Sequence, residues 1–396
     1  MRLVLVADTF PPTCSSASIQ LWDLAVEIKR LGHDIWVLVP TSNISQASVL
    51  EDMDGINVLR LNARKTKDIG FIKRAVNEFL LPFLMIKHFR SSHAKDFQWD
   101  GVIWYSPTIF LGPVAWYLKK GSGCKAYLIL RDIFPKWALD LELIKKGPVY
   151  FLLKIVETFQ YWVADVIGIQ SSADMKLMSK WNEKGKRKIE LLNNWLADHP
   201  NIGCSISIDK TSLAGRKILV YAGNMGIAQD VRKLLDLAYQ FKENHEVGFL
   251  FIGRGDQVKQ LKDYVTTLNL KNTLFLDEIP KSEIPGLYSQ CSLGLIALDS
   301  RHSTSNIPGK FISYMQNGLP TFALVNAGNE LLDIINQSFL GLAVTEITEN
   351  EVKKLESLIR NYSRDVIYSK NCINIYKEKY SVSYASQRII SSIESK

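Results

Sequence analysis

The chain alternates between short apolar runs and amphipathic stretches. Residues 3–7 and 35–40 are continuous apolar runs, and residues 18–31 between them carry leucine and isoleucine at helical spacing before Gly32. This pattern predicts a strand, a helix and a strand. Strands that are apolar on both faces are typical of a parallel sheet covered by helices. Further strands are predicted at 56–61, 101–105, 125–130, 166–169 and 189–192.

The second half of the chain repeats this order of elements. Residues 218–223 predict a strand, residues 228–241 a helix and residues 247–253 a second strand. The remaining elements predicted there are a helix at 257–268, a strand at 273–276, a short helix at 282–289 and a strand at 293–297. The predicted fold class is therefore α/β, with two doubly wound, Rossmann-like units in succession.

The length of the chain supports two domains. Its 396 residues exceed what one hydrophobic core usually holds together. Residues 199–215 are polar and rich in Ser, Asp and Gly, which is typical of a linker. We expect an N-terminal domain over 1–198, a C-terminal domain over 216–379 and a terminal helix over 380–396.

The composition is that of a globular protein, with 47% hydrophobic and 22% charged residues. Five cysteines are scattered singly without a CxxC pair, so neither a disulfide framework nor a zinc site is indicated, and a reducing compartment fits best. The apolar run before Asp8 is too short for a signal peptide, and prolines interrupt the apolar stretch 103–118. We expect a soluble or peripheral protein.

Positive charge is concentrated in residues 60–95. This window holds nine Lys or Arg against two acids, interleaved with phenylalanine, leucine and isoleucine. Such a basic and aromatic segment can bind an anionic membrane surface. The candidates for that contact are Lys73, Arg74, Lys87 and Arg90. The alternative is a solvated helix whose apolar side faces the core, and Pro82 is expected to interrupt any single long helix.

Phosphate-binding loops in such sheets follow the carboxyl ends of strands. Residues 223–226 (GNMG) follow a predicted strand, and glycine lets the backbone approach a diphosphate; a tight turn that needs glycine for geometry alone is the alternative. Residues 11–18 of the first half are small but include no glycine. The loop 253–256 lacks the third glycine of a dinucleotide fingerprint, which would fall at Val258, and no Walker A loop is present. NAD-dependent and P-loop functions are therefore disfavoured.

A metal site is not indicated. Asp52 and Asp54 have the spacing of a DxD motif, but Gly55 follows at once and favours a polar turn. The six histidines form no HxxxH pair. We expect no metal and no other cofactor.

Residues 221–329 resemble glycosyltransferase family 4, the retaining family with the GT-B fold. The motifs that carry the resemblance are YAGNMGIAQD, FIGRGD, NTLFLDEIP, SLGLIAL and NIPGKFISYMQNGLPTFA. In the first half, ADTFPP, LRDIFPKWALDL and LLNNWLAD resemble the branch that builds bacterial surface polysaccharides, including L-fucosamine transferases of O-antigen synthesis. The resemblance covers nearly the whole chain and implies two Rossmann-like domains that face each other across a cleft.

The resemblance also implies a donor site in the C-terminal domain. The residues that it assigns to donor binding are Gly223, Asn224, Gly226, Arg254, Glu278, Ile279, Ser305, Asn306 and Ser313. The first three would donate backbone N–H groups to the donor diphosphate, and the next three would flank the nucleotide base. Lys310 would neutralise the charge that builds on the departing phosphate; an ordinary surface lysine is the alternative.

The donor segment departs from the family at two positions. Many members carry two glutamates with seven residues between them, and here Ser305 and Ser313 occupy those positions. A hydroxyl can hydrogen-bond a sugar or a ribose but supplies no carboxylate. We therefore expect front-face transfer, in which the leaving phosphate helps to take the acceptor proton, rather than double displacement through Ser305.

Asp132 is the catalytic candidate of the first half. It follows an apolar strand and matches a D-x-W-P-like segment of the polysaccharide branch. A carboxylate at this position can orient or deprotonate an acceptor hydroxyl. Its neighbour Arg131 leaves a structural ion pair as the alternative.

Together these features predict a retaining glycosyltransferase. We expect it to move a sugar such as L-FucNAc from a UDP-sugar to an undecaprenyl-diphosphate-linked saccharide at the inner face of a bacterial cytoplasmic membrane. The expected partners are the UDP-sugar, the lipid-linked acceptor and an anionic membrane surface, without nucleic acid. The alternatives are a GT-B nucleotide-sugar epimerase, which needs no lipid-facing surface, and an inactive homologue that acts as a binding module.

Overall fold

The computed structural model describes residues 1–140, 142–182, 187–299, 307–361 and 367–395. It divides into two compact units. The first contains Met1–Ala197 and Val382–Lys396, and the second contains Asp198–Ser381. Residues 199–215, expected as a linker, lie in the second unit.

The first unit is built on an eight-stranded sheet. Its strands are β1 (Arg2–Val6), β2 (Asp34–Thr41), β3 (Ser48–Met53), β4 (Ile56–Asn62), β5 (Gly101–Ser106), β6 (Lys125–Leu130), β7 (Val166–Ile169) and β8 (Lys188–Leu191). They are ordered β3-β4-β2-β1-β5-β6-β7-β8, and every neighbouring pair is parallel except β3 and β4. The chain segments that follow β1, β5 and β6 therefore meet at one edge of this sheet.

The second unit is built on a six-stranded parallel sheet. Its strands are β9 (Lys217–Ala222), β10 (Val247–Ile252), β11 (Thr273–Leu276), β12 (Leu293–Ala297), β13 (Thr321–Leu324) and β14 (Gly341–Val344). Their order is β11-β10-β9-β12-β13-β14, so the loops after β9, β10 and β11 lie side by side. These two parallel sheets confirm the predicted α/β class.

Helices connect the strands of both units. They are α1 (Ser16–Arg30), α2 (Phe71–Phe89), α3 (Gly112–Ser122), α4 (Lys136–Asp140), α5 (Pro148–Val163), α6 (Ser172–Asn182), α7 (Arg232–Gln240), α8 (Val258–Thr267), α9 (Ile284–Tyr288), α10 (Gly309–Gln316), α11 (Glu330–Gln337), α12 (Glu349–Asn361), α13 (Ile367–Ile375) and α14 (Val382–Glu394). A π-helical turn, Tyr376–Tyr380, precedes α14.

The two faces of the first sheet are covered by different helices. Apolar side chains of α2, α3, α5 and α6 pack with Val4 and Val6 on one face. Helices α1 and α14 pack with Leu3 and Leu5 on the other face, as the alternation of side chains along a strand requires. The last helix of the chain is therefore part of the core of the first unit.

Helix α2 continues through Pro82, so the expectation that this proline interrupts it is wrong. Proline removes one helical hydrogen bond and costs about 3 kcal/mol in a helix interior. Leu81, Met85 and Phe89 are at most 3% exposed against the sheet. Burial of each such side chain contributes about 1.5–3 kcal/mol, so their packing outweighs the cost of the proline.

A buried carboxylate attaches α14 to the sheet. Glu190 of β8 is only 4% exposed and accepts a hydrogen bond from the Tyr127 hydroxyl at 2.8 Å. The Ser392 hydroxyl of α14 lies 3.0 Å from each oxygen of this carboxylate, and Lys188 Nζ lies 2.9 Å from one of them. Strands β6 and β8 and the last helix therefore share one acceptor.

Substitution of Glu190 by Ala is expected to destabilise the first unit by about 3 kcal/mol, because it leaves buried donors without an acceptor. Urea unfolding followed by circular dichroism measures the loss. The control is Asp34→Ala, which breaks the exposed 2.9 Å pair with Arg2; this change is expected to cost less than about 1 kcal/mol. Equal losses in the two variants would contradict the assigned role of Glu190.

Candidate functional site

Lys310 is the second residue of α10 and lies against the first strand of the second sheet. Its ammonium is 3.7 Å from the centroid of the Tyr221 ring. Burial lowers the pKa of Lys310 to about 7, and no charged group in the described residues contributes to that shift. The ring face attracts the ammonium form, whereas the loss of water around the amine favours the neutral form.

Helix α10 is held in place by its buried tyrosine. The Tyr314 hydroxyl lies 3.1 Å from the carbonyl oxygens of Val220 and Leu295, on strands β9 and β12. A Cβ atom at Gly294 would lie 2.5 Å from the Tyr314 ring, so glycine at this position lets the helix approach the sheet. These contacts fix the start of α10, and with it Lys310, above the sheet.

The loop 223–226 lies beside Lys310. Gly223 has a φ of +133°, and among the described residues a Cβ atom on it would meet only Lys310 Cε, at 3.8 Å. The structure thus brings together two residues that the sequence assigned to donor binding. Gly223 is open on the side of the lysine.

Two of the predicted backbone donors are already hydrogen-bonded. The Gly223 N–H donates to Ile252 O at 2.9 Å, and the Gly226 N–H donates to Gln229 Oε1 at 3.1 Å. The Asn224 N–H has no partner in the described part of the chain. The expectation is therefore revised, because Asn224 alone among the three offers an amide that is not already used.

A second glycine loop supports the first. Cβ atoms at Gly253 and Gly255 would lie 2.0 and 2.3 Å from the carbonyl oxygens of Gly223 and Met225, and Met225 N–H donates to Arg254 O at 2.8 Å. Both positions therefore require glycine so that the two loops can touch. The incomplete fingerprint in the sequence has this packing role, which a search for nucleotide motifs does not recognise.

The predicted base-flanking residues follow β10 and β11. Arg254 Nε lies 3.1 Å from Glu278 Oε2, with the two side chains 83% and 52% exposed, and Ile279 beside them is partly buried. An exposed pair of this kind contributes at most about 1 kcal/mol to stability. A ligand can therefore rearrange both side chains at little energetic cost.

Of the two serines that stand where the family has glutamates, the structure describes Ser313. Ser313 lies on α10; burial raises the pKa of Tyr288, and the nearby Ser313 side chain opposes the rise. The predicted ribose contact of Ser313 stays a prediction. Ser305 and Asn306 lie outside the described residues.

Asp132 follows β6 in the first unit and is partly exposed. Burial raises the pKa of Asp132, and the charge of Arg131 opposes the rise. Arg131 is buried, donates to Leu192 O at 2.8 Å and places its guanidinium 4.6 Å from the centre of the Trp195 ring. Within the described ranges no ion pair joins Arg131 to Asp132, so the alternative of a structural salt bridge finds no support.

Further polar groups that the sequence analysis missed lie at the same sheet edge. Asp8 Oδ1 and the hydroxyls of Thr9 and Ser106 are buried without a partner among the described residues. Burial raises the pKa of Tyr105. The charge of Arg131 opposes this rise, and the charges of Asp132 and Asp8 add to it. The signal for these groups was present in the chain, since Asp8 and Ser106 stand at the ends of apolar strands.

The DxD spacing belongs to the turn between β3 and β4. Asp52 Oδ1 accepts a hydrogen bond from Gly55 N–H at 2.7 Å, and Asp54 adopts a φ of +52°. In the described part of the chain, no three His, Cys, Asp or Glu side chains are grouped as metal ligands. Asp52 thus closes a hairpin.

The basic window forms helix α2, which has an exposed apolar face. This face consists of Ile72, Val76, Phe79 and Phe83, exposed by 80%, 49%, 47% and 58%. Helical spacing continues the face through Lys87 and Arg90 and places Lys73 at its border. Arg74 falls on the opposite side and pairs with Glu78 at 2.8 Å. Of the four predicted membrane cations, Arg74 is therefore directed away from this face.

Two further findings bear on the membrane prediction. Arg60 was counted in the basic window, but it is 9% exposed and pairs with Glu51 at 2.7 Å, so it adds no charge to the α2 face. In the described residues, no helix combines the length and apolar character needed to cross a membrane.

The sequence of the second unit matches a known family. Residues 206–378 match the model of the family Glycosyl transferases group 1. This match lies within the second unit, Asp198–Ser381. The matched residues include the loop 223–226, the pair of Arg254 and Glu278, and Lys310, so the residues that the structure brings together lie inside the matched region.

Relatives and solved structures agree with this assignment. The glycosyltransferase WbjE of Pseudomonas aeruginosa is 24% identical over 230 residues, a match that spans 57% of this chain and 57% of WbjE. WcaI of Escherichia coli strain K12, a colanic acid biosynthesis glycosyl transferase by name, is 20% identical over 390 residues, covering 94% of this chain and 93% of WcaI. The structure of Anabaena HepE in complex with UDP is 16% identical, covers 99% of each chain and has a TM-score of 0.64. The glycosyltransferase class and the GT-B fold predicted from the sequence are confirmed.

Proposed function

We propose that the protein transfers a sugar from a UDP-sugar to an undecaprenyl-diphosphate-linked saccharide in the synthesis of a bacterial surface polysaccharide. The observation that carries the proposal is the partly buried Lys310, which lies beside the glycine backbone at position 223. HepE, which has the same fold, has been solved with UDP and with UDP-glucose. The motif resemblance to L-fucosamine transferases supports an N-acetylated deoxyhexose such as L-FucNAc as the sugar.

We propose front-face transfer as the mechanism. The bond between the sugar C1 and the diphosphate breaks, a bond forms between C1 and the acceptor oxygen, and the acceptor proton moves to the leaving phosphate. Lys310 and the Asn224 N–H stabilise the negative charge that develops on the diphosphate. Asp132 accepts a hydrogen bond from the acceptor hydroxyl and orients it towards C1.

UDP is expected to bind more weakly as the pH rises above the pKa of Lys310. The pKa of this lysine is about 7 in the free protein, and a bound diphosphate favours the ammonium form, so binding takes up a proton. Between about pH 7 and about pH 9, the affinity should fall by up to about tenfold per unit. The terminal phosphate titrates near about pH 6, below this range. Isothermal titration calorimetry in buffers of different ionisation enthalpy measures the proton uptake.

Lys310→Arg is the matched control, because a guanidinium keeps its charge throughout this pH range. The affinity of this variant for UDP is expected to be independent of pH. If Lys310→Arg kept the pH dependence of the unmodified protein, the titrating group would have to be another residue. Lys310→Met should bind UDP weakly at every pH.

Asp132→Asn is expected to reduce sugar transfer by about tenfold or more while the affinity for UDP stays unchanged, because a neutral amide orients the acceptor hydroxyl less strongly than the charge-assisted hydrogen bond of a carboxylate does. Transfer is measured with a panel of UDP-sugars and a lipid-linked acceptor, and affinity by calorimetry. Asp52→Asn is the control, since an asparagine oxygen can still accept the turn hydrogen bond from Gly55. Full activity of Asp132→Asn would remove Asp132 from the mechanism.

We propose that the α2 face docks on an anionic membrane, where the lipid-linked acceptor resides. The proposal is supported by the α2 face itself, where four exposed apolar side chains lie on the same side of the helix as Lys87 and Arg90. Apolar burial and attraction to anionic lipids act together in such interfacial helices.

Lys87→Ala combined with Arg90→Ala is expected to weaken binding to phosphatidylglycerol vesicles by about tenfold or more at low salt, since each cation near the surface contributes about 1 kcal/mol. The difference should shrink as salt screens the charges. The control, Arg74→Ala combined with Lys29→Ala, removes the same net charge away from the α2 face. Vesicle co-sedimentation gives both affinities, and equal losses would contradict docking through this face.

A further inference from the structure

Helix α5 exposes large apolar side chains and buries two polar ones, unlike a helix on a water-exposed surface. Five of its large apolar side chains are exposed, namely Val149, Phe151, Leu152, Ile155 and Trp162, at 63%, 61%, 51%, 67% and 53%. Two polar side chains, Glu157 and Gln160, face inward and are 1% and 0% exposed. A helix at a protein surface normally buries its apolar stripe and exposes its polar one. Large exposed apolar patches mark interaction surfaces.

The contacts of α5 fix this orientation. The Tyr161 hydroxyl donates to Glu157 Oε1 at 3.2 Å. A Cβ atom at Gly112, the first residue of α3, would lie 2.9 Å from Gln160 Cβ, so the two helices meet closely at this glycine. At the end of α5, Lys119 Nζ donates to Val163 O at 2.9 Å. The bond between Tyr161 and Glu157 lies within α5, whereas the contacts with Gly112 and Lys119 join α5 to α3, so the helix cannot turn its apolar face inward without losing the contacts with α3.

The apolar faces of α2 and α5 belong to the same layer of helices. Side chains of α2, α3 and α5 pack together on one face of the first sheet, so their outer sides are directed away from that sheet. Trp116 of α3, which lies between the other two helices in the layer, is 37% exposed. The layer thus presents a second apolar helix that the basic window at 60–95 did not indicate.

Positive charge lies at both ends of the α5 face. Lys145 and Lys146 are exposed just before the helix begins. At its other end, a cavity of about 350 Å³ is lined by Trp116, Lys119, Lys120, Cys124, Trp162 and Arg187. Lys120 Nζ lies 5.1 Å from the centre of the Trp116 ring. Indole rings beside lysine and arginine are typical of the headgroup level of a membrane.

We infer that α5 lies in the interface of an anionic bilayer, with its apolar face among the acyl chains and the tryptophan-lined cavity around a phospholipid phosphate. The inference extends the membrane docking proposed through α2, but it depends on separate residues. An apolar stripe bounded by cations complements an anionic bilayer in both polarity and charge. A second copy of the chain on the same two-fold face would instead bring these cations against each other.

The test compares vesicle binding of the full-length chain with that of Leu152→Ser combined with Ile155→Ser. Binding to mixed phosphatidylcholine and phosphatidylglycerol vesicles is expected to fall by about tenfold or more, because two side chains no longer enter the acyl region. This loss should persist at high salt, unlike the loss caused by the α2 cation variants. The matched control is Ile19→Ser combined with Val26→Ser. These two side chains of α1 are 38% and 40% exposed, and α1 covers the opposite face of the first sheet.

Further measurements separate this inference from the proposed function. The affinity for UDP should be the same in the α5 variant, which shows that the second unit is intact, and an unchanged circular dichroism spectrum shows that the first unit is folded. Unaltered vesicle binding would overturn the inference. A dimer in light scattering that the α5 variant abolishes would overturn it as well, because the face would then be covered by a second copy.

The cavity has its own test. Lys120→Glu is expected to reduce the preference for phosphatidylglycerol over phosphatidylcholine vesicles by about fivefold or more, since it reverses one charge at the headgroup level. Lys29→Glu on α1 is the control for net charge. An equal loss of preference in both variants would show that the cavity does not hold the lipid phosphate.

Discussion

Burial of the Lys310 amine against the Tyr221 ring is the interaction on which the donor region depends. An ammonium that loses its water is disfavoured, and the face of a phenol ring compensates for only part of that loss. The resulting pKa of about 7 means that the free site is poised between its neutral and its charged form. The sheet maintains this position, since Tyr314 binds α10 to β9 and β12 through two carbonyl oxygens.

Much of the fold could be predicted because its physical cause is local. Parallel strands buried on both faces are continuous apolar runs, and glycines at strand ends show where loops are tight. Strand β3 was missed, because its sequence, SVLEDM, is neither a continuous apolar run nor a regular alternation. The continuity of α2 through Pro82 could not be read from the chain, since it depends on how tightly Leu81 and Met85 pack against distant strands.

The candidate site could likewise be predicted only in part from the sequence. The proximity of Lys310 to the 223–226 loop follows motifs visible in the chain, because the loop directly follows a strand and the lysine precedes an apolar helix. The occupied amides of Gly223 and Gly226 were not predictable, since their acceptors, Ile252 O and Gln229 Oε1, are chosen by the three-dimensional path of the backbone. The inverted polarity of α5 was equally hidden. A hydrophobic helix has the same sequence whichever face it buries, and only the contact of Gly112 with Gln160 decides the outcome.

The serine at position 313 bears on how the candidate site can work. A carboxylate at position 313 would place a negative charge on α10, three residues after Lys310, and would stabilise the ammonium form of that lysine. With a serine there, burial alone lowers the pKa of the lysine until an anion binds. In the proposed mechanism, a leaving diphosphate then meets a cation whose protonation depends on the diphosphate itself. Front-face transfer requires such a cation beside the leaving group, so the serine at position 313 and the partly buried lysine fit the same proposal.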